Sequence, residues 1–144
     1  MVILTRLIFA GMWVALILGT LVTGSGPHAG DADVARNGLS GLLVTRLHAG
    51  VVYVTVALTI VVVARLRSRP AVLLLAVEVV QAAIGISQYL LGLPVGLVAA
   101  HLLGASLATA AAANLMLSVQ RSNARQLVAD SERSEQQLAA GRLP

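Results

Sequence analysis

Four long apolar runs divide the chain, at residues 7–22, 42–64, 71–91 and 95–117, with polar or glycine-rich segments between them. Three of them hold about 20 residues or more, enough to cross a hydrocarbon core of about 30 Å as a helix. The first reaches that length once Val2, Ile3 and Leu4 join it, which gives a span at about 2–22. Arg6 ahead of a short apolar stretch also has the look of a secretory signal. No small-x-small cleavage site follows it, so the run is read as a retained span. Residues 23–41 are rich in Gly, Ser, Pro and Asp and read as an irregular loop. The connection Gly92-Leu93-Pro94 is so short that the third and fourth spans must be antiparallel neighbours. The predicted fold is all-α, a transmembrane up-down-up-down four-helix bundle over residues 1–118, followed by a polar tail at 119–144. No internal repeat is legible in these residues.

Composition agrees. Of 144 residues 58% are hydrophobic and 11% charged, and the mean hydropathy is +0.88. A soluble domain has roughly half its residues apolar and about a quarter charged. The absence of Cys excludes disulfides, thiolate chemistry and Cys-bound zinc or iron–sulfur clusters. At 3% aromatic residues, a stacking platform for single-stranded nucleic acid is also excluded.

The charge is all Arg on the basic side, and its placement sets the topology. Arg65, Arg67 and Arg69 crowd one short connection, which marks it as cytoplasmic. The N-terminus and the tail then lie on the same side, with Arg6, Arg121, Arg125, Arg133 and Arg142. Only Arg36 and Arg46 are left outside. The pI of 11.1 therefore reflects membrane orientation, and nucleic acid is not an expected partner.

Two histidines lie inside the spans. His48 is about six residues into the second and His101 about seven into the fourth, so both sit roughly 9–10 Å below the outer surface. These two helices run in the same direction and are diagonal partners in a simple bundle. Two imidazoles at matched depth across a core are what a bis-His heme needs, one nitrogen reaching iron from each side. Gly104, Ala105 and Ala108 share a helix face with His101 and would leave room for a broad macrocycle. Thr45, Val52 and Thr55 lie on or near the face of His48. Small residues are also ordinary at membrane helix contacts, and an intramembrane His can merely bond a neighbouring helix. Zinc fits less well than heme, because no Cys or nearby acid completes a tetrahedron.

The third span carries Glu78, Gln81, Gly85 and Gln88 along one face, which must point inward. Gln88 lies near the depth of the two histidines and Glu78 deeper. Gln81 reads as an interhelical hydrogen-bonding residue that fixes packing. The stretch Gly24-Ser25-Gly26-Pro27-His28-Ala29-Gly30-Asp31 lacks the Lys-Ser/Thr of a phosphate loop. It reads as a tight turn that would hold His28 above the bundle mouth. Arg46 could pair with a heme propionate, but interfacial snorkelling explains it equally well.

Several of these pieces together resemble a known family. Val22-Thr23-Gly24-Ser25-Gly26-Pro27-His28-Ala29-Gly30-Asp31, then Arg46-Leu47-His48, Gln81 to Gly85, Gly92-Leu93-Pro94 and Ala100-His101-Leu102-Leu103-Gly104-Ala105 are similar, in order and spacing, to the second half of an actinobacterial heme A synthase. The resemblance covers nearly all of residues 1–118. It implies one of two four-helix halves, the one that holds heme b, with His48 and His101 as axial ligands to its iron and Gly104, Ala105 and Gln88 around it. It implies a bacterial plasma membrane protein with cytoplasmic termini. The complete enzyme oxidises a methyl group of heme O to the formyl group of heme A, for cytochrome oxidase assembly, with electrons from a donor this chain does not identify.

The chain departs from the family pattern. It is one half long, Thr45 stands where the substrate half has a Glu taken as catalytic, and no outer-loop Cys pair is present. No catalytic residue is therefore assigned, and a partner half or a homodimer would complete an enzyme. Two other functions share much of this reading: a small transmembrane bis-His electron-transfer cytochrome b, and a non-enzymatic four-helix assembly protein whose histidines only pack.

Overall fold

The computed structural model describes residues 1–26 and 35–140. They form four helices in sequence: α1 (Val2–Ser25), α2 (Gly41–Leu66), α3 (Arg69–Leu90) and α4 (Val95–Ala140). In lipid every backbone amide needs an internal partner, so continuous apolar runs of this length settle as helices. Each of the four is long and apolar enough to cross a membrane, and the chain is a multi-pass membrane protein. Its outer faces carry bare apolar side chains, among them Ile3, Leu90 and Leu103, which lipid accepts and water would not.

The helix ends follow from local chemistry. The Ser40 hydroxyl caps α2 by accepting from the Leu43 N–H at 3.5 Å. At the other end Arg67 turns left-handed, with φ 47°, and its N–H donates to the Val63 carbonyl at 2.9 Å. Only Arg67 and Ser68 separate α2 from α3, and Pro70 sits in the first turn of α3, where its missing N–H costs nothing. The α3–α4 turn passes through Gly92 and Leu93, both left-handed, and is closed by the Leu93 N–H on the Gln88 carbonyl at 2.8 Å. A Cβ is disfavoured at φ 73°, which is why Gly suits position 92.

Each helix packs on its neighbours in a closed ring, α1 on α2, α2 on α3, α3 on α4 and α4 on α1. Among the described residues neither diagonal pair meets. This is the square arrangement that the short connections require, with α2 and α4 facing across the centre. The fourth helix does not stop at the membrane. It runs 46 residues, about 69 Å, so the polar tail continues it as a helix to Ala140, exposed along most of the tail as far as Leu138.

The filled core occupies one end of the bundle. Ile8, Met12, Val62, Ala71, Leu74, Ala108, Ala111, Ala112 and Leu115 form a single buried cluster, all towards the end where α2 meets α3. Alanines on α4 let its backbone come close to its neighbours there. Beyond Ala15 on α1, beyond Gln81 on α3 and before Gly104 on α4, no described residue is buried, and on α2 only Val44 is buried before Thr55. The half of the bundle that holds both histidines is therefore much less filled than the other.

Burial also exposes a repeat that the letters conceal. Thr5, Ile8, Met12 and Ala15, the buried residues of α1, recur 66 positions later as Ala71, Leu74, Glu78 and Gln81, those of α3. Thr55, Thr59 and Val62 of α2 recur 53 positions later as buried Ala108, Ala112 and Leu115 of α4. Under the same two offsets Gly19 matches Gly85 and His48 matches His101. The bundle is two similar hairpins, α1–α2 and α3–α4, related across its centre.

Candidate functional site

Each hairpin seats its histidine in the same way. On α2, His48 lies against α1, where the site of an added Cβ on Gly19 is 3.5 Å from its Cε1. On α4, His101 lies against α3, where the corresponding distance from Gly85 is 3.1 Å. Both rings are half-buried. Each imidazole thus lies close to a glycine of the neighbouring helix, where an added Cβ would be an ordinary contact at Gly19 and a tight one at Gly85.

One turn from each glycine is the group that holds the ring. His48 Nδ1 is 3.0 Å from the carbonyl oxygen of Ala15, four residues before Gly19. A carbonyl can only accept, so Nδ1 carries the proton and the Nε2 lone pair is free in the neutral ring. On the other hairpin Gln81, four residues before Gly85, reaches across from α3. With its amide oriented to satisfy both ends, Nε2 donates to His101 Nδ1 at 2.8 Å and to the His101 carbonyl at 3.2 Å, and Oε1 accepts from the Ala105 N–H at 3.3 Å. Neither histidine Nε2 has a hydrogen-bond partner among the described residues.

The remaining candidates divide. Gly104 is buried, but the room its missing side chain leaves is filled by the Gln81 amide. Ala105 is half-buried on the His101 face and lends its backbone N–H to the same amide. Gln88 is half-buried near the outer end of α3, and its Oε1 is shielded with no partner among the described residues. Gln81 does join two helices, as its spacing suggested, and the helix it joins is the one that carries His101. Thr45 is half-buried and Arg46 exposed. His28 lies outside the described residues.

Glu78 sits deeper, in the filled half. The Thr59 hydroxyl donates to the Thr55 carbonyl at 3.0 Å and lies 3.0 Å from Glu78 Oε1, while Oε2 is buried without a partner among the described residues. Thr55 in turn packs on Gly11, where a Cβ would come within 2.6 Å of its Oγ1.

Sequence reasoning missed three members of this arrangement. Gly11 and Gly19 stand out only as small residues in an apolar span. The Ala15 carbonyl has no signature at all, because a backbone acceptor has no letter of its own.

Chemically, the site offers two imidazoles from diagonal helices, each held at Nδ1 by the neighbouring helix and without a partner at Nε2 among the described residues. A ligating His usually donates its second N–H to an oxygen acceptor, which fixes ring and tautomer. The Ala15 carbonyl does this for His48, and Gln81 can do it for His101 only with Oε1 towards the ring. Among the described residues no group of three or more His, Cys, Asp or Glu converges. Two axial nitrogens suffice for a metal that brings its other donors in a macrocycle. No family model, no curated protein and no solved structure matches the chain.

Proposed function

We propose that the chain is a heme-binding membrane domain in which His48 and His101 are the axial ligands of one heme b. The observation that carries this reading is the pairing itself: both Nδ1 atoms are engaged by the neighbouring helix, and neither Nε2 has a protein partner among the described residues. The sparse filling of that half of the bundle supports it, as does the unpartnered Oε1 of Gln88, a polar atom with no protein group to satisfy it. Bound there, heme would supply one-electron redox chemistry. The residues of this chain do the rest. Ala15 and Gln81 hold the rings, and Gly85 leaves room for His101.

The reading extends to the heme-b half of a heme A synthase, as the sequence resemblance implies. The role is then electron delivery or structural support while heme O is oxidised, with a second half or a second copy supplying the substrate site. The resemblance implies a bacterial plasma membrane, and the Arg distribution favours both termini in the cytoplasm. Thr45, in place of the family's Glu, favours a second reading, a small transmembrane electron-transfer cytochrome that needs no substrate.

The test is the visible spectrum of purified protein supplied with heme. A reduced sample with a sharp Soret and α band, lost in His48→Ala and in His101→Ala, is the expected result. A colourless protein, or a spectrum indifferent to both substitutions, overturns the proposal. Heme A formation with and without a partner half then separates the two readings.

A further inference from the structure

Resting on the heme-ligand reading above, we propose that the two ligands are unequal and that the Gln81 amide acts as a tautomer selector for His101. The basis is a single difference between two otherwise matched hairpins. Position 15 and position 81 are equivalent, each four residues before the glycine that seats an imidazole. In α1 the holding group is a backbone carbonyl, which is an acceptor and nothing else. In α3 it is a side-chain amide, which presents either an acceptor or a donor, depending on which way it is turned.

The two orientations do different things to His101. With Nε2 towards the ring, the amide donates to Nδ1 and to the His101 carbonyl, and Oε1 accepts from Ala105 N–H. Every amide atom is then matched, but Nδ1 is used as an acceptor. The ring proton sits on Nε2, and no lone pair is left for iron. With Oε1 towards the ring, Nδ1–H donates to it and Nε2 is open. That orientation sets Oε1 against the His101 carbonyl oxygen and amide hydrogens against the Ala105 N–H. The favoured arrangement of the metal-free protein is thus the non-ligating one at His101, whereas His48 is always ready. Iron binding at His101 requires the ring proton to move from Nε2 to Nδ1 and the amide to turn over. His48 ligates first, and Gln81 sets the cost of closing the second bond.

Gln81→Glu removes the donor, because an ionised carboxylate puts an oxygen acceptor at both ends of the same side chain. The tautomer of the metal-free protein is the readout that its added charge does not mimic. In the metal-free protein in detergent, with 15N-labelled histidine, His48 is expected in the Nδ1–H form. His101 is expected as Nε2–H in the wild type and as Nδ1–H in Gln81→Glu. Titrated with hemin, Gln81→Glu is expected to bind about tenfold tighter, with a more negative midpoint potential because the Nδ1 hydrogen bond to oxygen strengthens the ligand. His101→Ala should retain five-coordinate, high-spin hemin on His48. If His101 of the wild type is already Nδ1–H, the selector is refuted while the heme reading stands. Equal hemin affinity of wild type and Gln81→Glu refutes it too. If hemin binds none of these proteins, the heme reading fails and takes this inference with it.

Discussion

Replacing Gly104 by Ala puts a methyl group where the Gln81 amide now lies, and the two cannot share the space. The amide has to leave its groove. It then gives up the bonds to His101 Nδ1, the His101 carbonyl and the Ala105 N–H, three in all. Interhelical hydrogen bonds in membrane proteins average about 0.6 kcal/mol each, so the loss is about 2 kcal/mol. Ala also gains up to about 1 kcal/mol over Gly in a helix interior. The expected net effect of Gly104→Ala is a destabilisation of about 1 kcal/mol. In a Gln81→Ala background there is no amide to expel, and the same substitution should stabilise by about 1 kcal/mol. The signature is therefore a change of sign, with a coupling of about 2 kcal/mol, read from a double-mutant cycle in detergent unfolding of the heme-free protein. Coupling below about 0.5 kcal/mol, the additivity limit for independent sites, would refute the claim that Gly104 exists to house Gln81.

Three further outcomes follow from other contacts. Gly19→Ala adds a methyl at an ordinary 3.5 Å from His48 and should leave hemin binding unchanged, whereas Gly85→Ala crowds His101 at 3.1 Å and should weaken it several-fold, as measured by hemin titration. Thr59→Val removes the hydroxyl beside Glu78 Oε1 and should cost about 1 kcal/mol in unfolding, a cost that shrinks to near zero when Glu78 is already Leu. Because the chain has no Cys, single cysteines report topology directly. Leu39→Cys should react with a membrane-impermeant maleimide on intact cells, and Ser131→Cys only after lysis, while the reverse pattern would invert the orientation.

Most of the architecture was legible because lipid leaves few choices. A chain that must satisfy its backbone internally and face hydrocarbon outwardly announces its helices as apolar runs. The predicted spans at 2–22, 42–64, 71–91 and 95–117 fall within three residues of Val2–Ser25, Gly41–Leu66 and Arg69–Leu90, and share the start of Val95–Ala140. The polar tail was separated from the fourth span because its composition changes at Ser118. The helix continues regardless, since hydrogen bonding along a helix does not depend on what its surface faces.

The site was legible as depth and not as contact. Counting residues from the helix starts put His48 and His101 at one level, and short connections made their helices diagonal, an arrangement the fold reproduces. What fills the room beside Gly104 was not legible. Periodicity tells which residues share a face of one helix, but not which neighbour's side chain lies on it, and here it is Gln81. The two-hairpin repeat was hidden for a related reason. Lipid-facing Leu, Ile, Val and Ala exchange freely and coincide by composition, as at Leu7 and Leu73, so among the residues turned inward identity survives only at Gly19 and Gly85 and at His48 and His101.

The central claim is that these two imidazoles close on one iron. Low-temperature electron paramagnetic resonance of the oxidised, hemin-loaded protein tests it most directly, with iron and protein quantified on the same sample. A low-spin ferric signal of the bis-imidazole type, at one iron per chain and replaced by a high-spin signal in His101→Ala, is the expected result. A high-spin signal in the wild type, or a low-spin signal that survives loss of either histidine, would contradict it.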